Sequence, residues 1–172
     1  DLPNLAALFS AIKREGWKEE WLIQQIGEYI NNIIPQTDGF YSKREKAKGN
    51  FALTQKGKDE VERMEKLKAA ISAFDNYQQI LHKNHRYDFD DMINWVINIF
   101  ETHEEVLRNY QEQYQYILVD EYQDTSGSQN KIVELLISYW EFEKPNIFVV
   151  GDDDQSIYRF QGANLKNMMN LA

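Results

Sequence analysis

Cysteine is absent from the 172 residues. That excludes a disulfide scaffold and thiolate metal sites, and it is compatible with the reducing cytoplasm expected for this chain. No apolar run is long or clean enough to span a bilayer. No basic segment leads into an apolar stretch of the kind that marks a secretory signal, and neither an internal repeat nor a low-complexity tract is visible. A G-x-x-x-x-G-K-[ST] phosphate loop is also missing. Its nearest approach is Gly57-Lys58, where Ala52 stands in place of the first glycine and Asp59 in place of the hydroxyl, so nothing here cradles a triphosphate in that way.

Positive charge is in the minority, with 19 Lys and Arg against 28 Asp and Glu and a formal net charge of -9. At face value this opposes life on a polyanion, but the distribution matters more than the sum. Residues 36–58 hold six basic side chains (Lys43, Arg44, Lys46, Lys48, Lys56, Lys58) against Asp38 and Glu45, a local balance of +4. Residues 85–172 hold six basic and sixteen acidic ones, a balance of -10. The chain opens on Asp1 and stops at Ala172 soon after its last motif, and we expect it to be a piece of something longer.

What is present reads as a soluble chain of one ordinary domain or two small ones. The first half is helical in pattern. A short helix is expected from about Leu5 to Glu15, ended by Gly16. A second is expected over Lys18 to Ile34, with Leu22, Ile26, Tyr29, Ile30 and Ile33 on one face and Pro35 stopping it. After a polar, basic loop to about Gln55, the spacing of Val61, Met64, Leu67, Ile71, Phe74, Tyr77 and Leu81 predicts one long helix with a packing face.

The second half changes character. In "YDFDDMINWVINIF" Asp88 is placed to cap a helix from Phe89, with Asp91 in the reciprocal position. A helix over Glu104 to Gln113, a strand at Tyr116 to Val119, a helix from about Ser128 to Trp140 and a strand at Ile147 to Val150 follow. Two wholly apolar strands joined through a helix imply a parallel pair covered on both faces, with ligands at the carboxyl ends. Asp120-Glu121 and Asp152-Asp153-Asp154 stand at those ends. The expected division is a helical part, residues 1–80, and an α/β part, residues 81–172.

An apolar strand running into Asp120 suits a carboxylate that holds magnesium against phosphate oxygens. Glu121 beside it suits the orientation and deprotonation of water. The bland account, that both acids only cap the next turn, fits a bare acid pair equally well. The second strand carries "VVGDDDQSIYRFQGA", in which the amide of Gln155 suits the sensing of a terminal phosphate. Tyr158 and Phe160 suit base stacking, although such aromatics are as readily core residues.

Together, "LVDEYQDT" and "VVGDDDQSIYRFQGA" resemble motifs II and III of the UvrD/Rep group of superfamily 1 DNA helicases, and "YDFDDMI" resembles the element that precedes them. The resemblance runs from about Tyr77 to Leu165. It implies an α/β fold with part of a RecA-like P-loop NTPase parallel sheet and a mainly helical inserted subdomain. It also implies ATP and Mg2+ as cofactors, single-stranded and duplex DNA as partners, and repair or recombination proteins beside them.

By motif position Asp120 would bind magnesium, with Glu121 in the same metal and nucleotide set and serving as the base. Gln155 would contact the γ-phosphate and couple it to the DNA site, where Tyr158 and Phe160 face bases. Gln123, Asp124 and Thr125 are expected to brace the loop, and Asp88 and Phe89 to be structural. The family usually has Arg after the motif III aromatic, where this chain has Gln161, which cannot supply a positive charge.

The resemblance puts the phosphate loop upstream and the arginine finger downstream of this piece, so the chain alone is expected to neither hydrolyse ATP efficiently nor unwind DNA. Two rivals stand beside this reading. One is a non-catalytic nucleic-acid or protein-binding module of the same shape, and the other a magnesium-dependent nuclease on the Asp cluster. His82 and His85 lack a third ligand at obvious spacing, and "HEEVL" at His103 has Leu107 where a zinc-protease helix needs histidine.

Overall fold

The computed structural model of the chain describes residues 2–42, 52–140 and 145–152. Two compact units divide it, one of Asp1–Phe9 with Trp17–Arg86 and one of Ser10–Gly16 with Tyr87–Ala172. The first helix thus belongs partly to each.

In the first unit, α1 (Leu2–Glu15) ends at Gly16, whose φ of 64° is a backbone state that glycine adopts without steric cost. Next comes α2 (Glu19–Glu28), which opens with Glu19 and Glu20 at the positive end of its dipole. The expected continuous helix to Ile34 does not form. Tyr29–Ile33 widen into a π-helical turn, and Ile34–Gln36 tighten into a 3-10 turn that accommodates Pro35. The wide turn slips the apolar face by one residue: Ile34 is 1 % exposed, whereas Ile33, expected inside, is 51 % exposed.

The single long helix is also corrected. α3 (Gln55–Ile71) and α4 (Phe74–Lys83) are separated at Ser72 and Ala73, whose ψ angles of -11° and -6° flatten the turn. The stripe survives the break, since Met64 and Ile71 are buried and Phe74, Tyr77 and Leu81 half-buried. Phe9 packs edge-on to Phe74, with ring centroids 5.4 Å apart, and lies 4.8 Å from Tyr77. Phe9, Ile26, Ile34, Met64 and Ile71 form the core of this unit. An antiparallel bridge between Tyr41 and Leu53 precedes α3. Lys43, Arg44, Lys46 and Lys48 lie outside the described residues.

In the second unit, α5 (Phe89–Thr102) starts from the expected reciprocal cap: Asp88 accepts from the Asp91 backbone at 2.9 Å, and Asp91 accepts from the Asp88 backbone at 3.0 Å. The same two carboxylates hold Lys13, whose Nζ is 2.7 Å from Asp88 and 2.8 Å from Asp91. α6 (Glu104–Gln113) falls where its pattern put it. Then come β1 (Ile117–Val119), a 3-10 turn at Tyr122–Asp124, α7 (Gly127–Ile137) and β2 (Ile147–Val149). Ser126 and Gln129 cap α7 reciprocally, a device the sequence reading overlooked.

The two strands pair in parallel with Ile117 opposite Ile147 and Val119 opposite Val149. The expectation of cover on both faces is not met among the described residues. Ile117, Val119, Ile147 and Val149 are half-buried, but Leu118 is 77 % and Phe148 63 % exposed. Two strands bury one face on the helices that this chain provides and leave the alternate side chains in water.

Candidate functional site

Parallel pairing brings the ends of β1 and β2 to one edge, and backbone bonds continue beyond the ladder. The Val150 N–H donates to the Val119 carbonyl at 2.8 Å, and the Tyr122 N–H donates to the Val150 carbonyl at 3.0 Å. Asp120 and Glu121 are lifted off the strand between these two bonds, and both are exposed.

Glu121 is held in an unusual way. Its backbone is left-handed, with φ 50° and ψ 41°, a state that costs a non-glycine residue about 1 kcal/mol or more. Three bonds hold it there. Its N–H donates to Asp120 Oδ1 at 2.9 Å, its carbonyl accepts from the Asp124 N–H at 2.8 Å, and its carboxylate accepts from Gln123 Nε2 at 2.6 Å. Asp120 therefore does brace the turn, as the bland account held, but that bond engages only one of its oxygens.

Beneath the acids the turn is fixed from inside. Tyr122 is 1 % exposed, and its hydroxyl donates to the side-chain oxygen of Asn130 on α7. Burial, and then the charge of Glu134, push the Tyr122 phenol above its ordinary value of 10.0. It is a neutral hydrogen-bonding group at any physiological pH. Thr125 Oγ1 donates to the Tyr122 carbonyl at 2.7 Å.

Gln123, 2 % exposed, uses both ends of its amide. Nε2 reaches Glu121, and Oε1 accepts the N–H of Asp152 at 3.0 Å. The expectation that Gln123 and Thr125 brace the loop holds in geometry, but the link from one strand end to the other was not foreseen. In the polar run "YQDTSGSQN" nothing separates a buried amide from a solvated one.

Of the residues singled out by sequence, Asp120 and Glu121 stand together at this edge, and Asp152 adjoins it through Gln123. Gln155, Tyr158, Phe160 and Gln161 lie outside the described residues. Asp88 caps α5, while Phe89 is 68 % exposed and takes no part in the core. Among the described residues no group of three or more His, Asp or Glu is arranged to hold a metal ion, and no helix is long and apolar enough to cross a membrane.

Parallel α/β sheets bind their ligands at the carboxyl ends of the strands, and the adjacent acids stand at that edge. Comparison with known proteins agrees. The model of the UvrD/REP helicase N-terminal domain matches residues 7–172, and the chain belongs to that family. It is 46 % identical over 100 residues to the ATP-dependent DNA helicase PcrA of Staphylococcus aureus, and 44 % identical over 100 residues to that of Staphylococcus epidermidis. Each match covers 58 % of this chain and 13 % of the relative, so the chain spans about an eighth of the length of the curated relatives it matches.

Proposed function

We propose that this chain is part of an ATP-dependent DNA helicase, and that it carries the edge of a RecA-like motor sheet where magnesium and the attacking water are handled. The helical residues 17–86 are read as the accessory subdomain inserted into that motor. This is supported by the division of the chain, in which Ser10–Gly16 groups with Tyr87–Ala172 while Trp17–Arg86 groups with Asp1–Phe9 in a separate unit. In the intact protein, hydrolysis of ATP would drive 3'-5' translocation on single-stranded DNA and unwinding of duplex in repair or recombination.

One observation carries the reading: an exposed acid pair, anchored by a buried turn, at the carboxyl edge of two parallel strands. The donor set fits Mg2+, a hard ion that takes one or two carboxylate oxygens and keeps waters and phosphate oxygens for the rest. Bound magnesium would neutralise charge on the phosphates. Asp120 is exposed and commits one oxygen to the Glu121 N–H, so the other would serve as the ligand. Glu121 would accept the proton of water from a carboxylate whose direction the turn has fixed, and Gln155, Tyr158 and Phe160 would report the state of the phosphate to DNA. The phosphate loop that grips ATP is not in this sequence, so the activity belongs to the longer protein.

The test is Glu121→Gln in that protein. DNA-stimulated ATP hydrolysis should fall by about 10² to 10⁴, with ATP binding within a few fold of the parent in equilibrium titration. Unchanged turnover would remove Glu121 from the role. A longer protein that binds DNA but neither binds nor hydrolyses ATP would favour the non-catalytic module.

A further inference from the structure

Gln123 joins the two strand ends through a single side chain. Its Nε2 is 2.6 Å from the Glu121 carboxylate, and its Oε1 is 3.0 Å from the Asp152 N–H. The amide is buried at 2 % exposure and flanked by Tyr122, which is locked to Asn130. A primary amide in such a position has little freedom. Moving the Asp152 backbone drags Oε1, and rotation of the amide about its own axis then shifts or breaks the bond to Glu121.

We propose that Gln123 is a positioning residue that ties the aim of the Glu121 carboxylate to the position of the β2 exit at Asp152. This rests on the reading of Glu121 as the base, and it makes the exit of β2 a determinant of where that carboxylate points. A shift of the Asp152 backbone is therefore passed to the Glu121 carboxylate through one side chain. The opposed demands on the amide make this specific. Only a group that accepts at one atom and donates at another, both at the right reach, fits; Gln does, and neither Glu nor Met does.

The experiment uses the full-length protein and measures ATP hydrolysis with and without single-stranded oligo(dT). Gln123→Met, similar in volume and unable to make either bond, should lower DNA-stimulated kcat by about 10- to 100-fold, the scale of a misplaced catalytic group. Its KM for ATP should stay within about three-fold, because phosphate and base contacts are untouched. Gln123→Glu keeps the acceptor for Asp152 and loses the donor to Glu121. It should also be slow, which keeps the test alive if the Met variant fails to fold.

In a Glu121→Gln background, Gln123→Met should add little further loss, since the two act through one carboxylate. Parental kcat in Gln123→Glu, or a loss that multiplies in full onto Glu121→Gln, overturns the inference alone. Full turnover by Glu121→Gln overturns the reading of the base and the inference with it.

Discussion

Lys13 shows how a charge is kept inside this protein. The lysine is 3 % exposed, and burial by itself would lower its pKa. The hydrogen bonds to Asp88 and Asp91 and their negative charges outweigh burial and raise it above 10.5. Removing the lysine leaves the Asp91 carboxylate, 7 % exposed, without its counter-charge. Lys13→Met should therefore cost about 3 to 5 kcal/mol in denaturant unfolding, whereas exposed pairs such as Arg108–Glu104 should cost well under 1 kcal/mol.

The pH dependence has a definite sign. Because the folded pKa is raised, the stabilisation by Lys13 is fully present below the ordinary value of 10.5 and is lost as pH climbs through the raised value. Tyr122, also raised, acts the same way from 10.0 upward. Stability measured from pH 7 to 9 should show no slope from these two groups and should decline in the alkaline window above.

At the level of elements, two helical glycines make opposite predictions from the same propensity argument. Alanine in a helix interior is favoured over glycine by up to about 1 kcal/mol. At Gly27 in α2 a Cβ would meet nothing within 4 Å, so Gly27→Ala should raise the melting temperature. At Gly57, in the first turn of α3, a Cβ would lie 2.1 Å from the Phe40 carbonyl oxygen. The Gly57 N–H is held at 3.1 Å by Thr54 Oγ1, so the helix start cannot easily give way. Overpacking of this kind costs about 1 to 3 kcal/mol. It exceeds the propensity gain, and Gly57→Ala should lower the melting temperature. Only the approach of the Tyr41–Leu53 bridge to the helix distinguishes these sites.

At the scale of the molecule, the exposed face of the sheet is the feature most at odds with a finished α/β layer. Leu118 and Phe148 are adjacent across the ladder and largely in water. Replacing both with threonine, which favours strands and tolerates solvent, should raise the solubility of the chain and leave its melting temperature within about 2 °C. A large drop in melting temperature would mean that these side chains are buried in solution. The net charge of -9 works against self-association and does not cover apolar area.

Local chemistry was legible wherever one short segment was enough to define it. The Asp88–Asp91 cap, α6, the end of α1 at Gly16 and both strands follow from residues within a few positions of one another. The family resemblance likewise rests on short contiguous strings. The widened turn that exchanges Ile33 for Ile34 was hidden because a period of 3.6 residues assumes an unbroken helix. The break at Ser72 was hidden because the apolar stripe continues through it.

The acid pair at the end of β1 was determined by the sequence alone. Tertiary structure decided what holds it: a left-handed Glu121, a buried Tyr122 tied to α7, and an amide spanning from Glu121 to Asp152. The physical reason is distance along the chain. Bonds between residues 29 positions apart depend on how two strands come to lie side by side, and no local pattern of residue types encodes that.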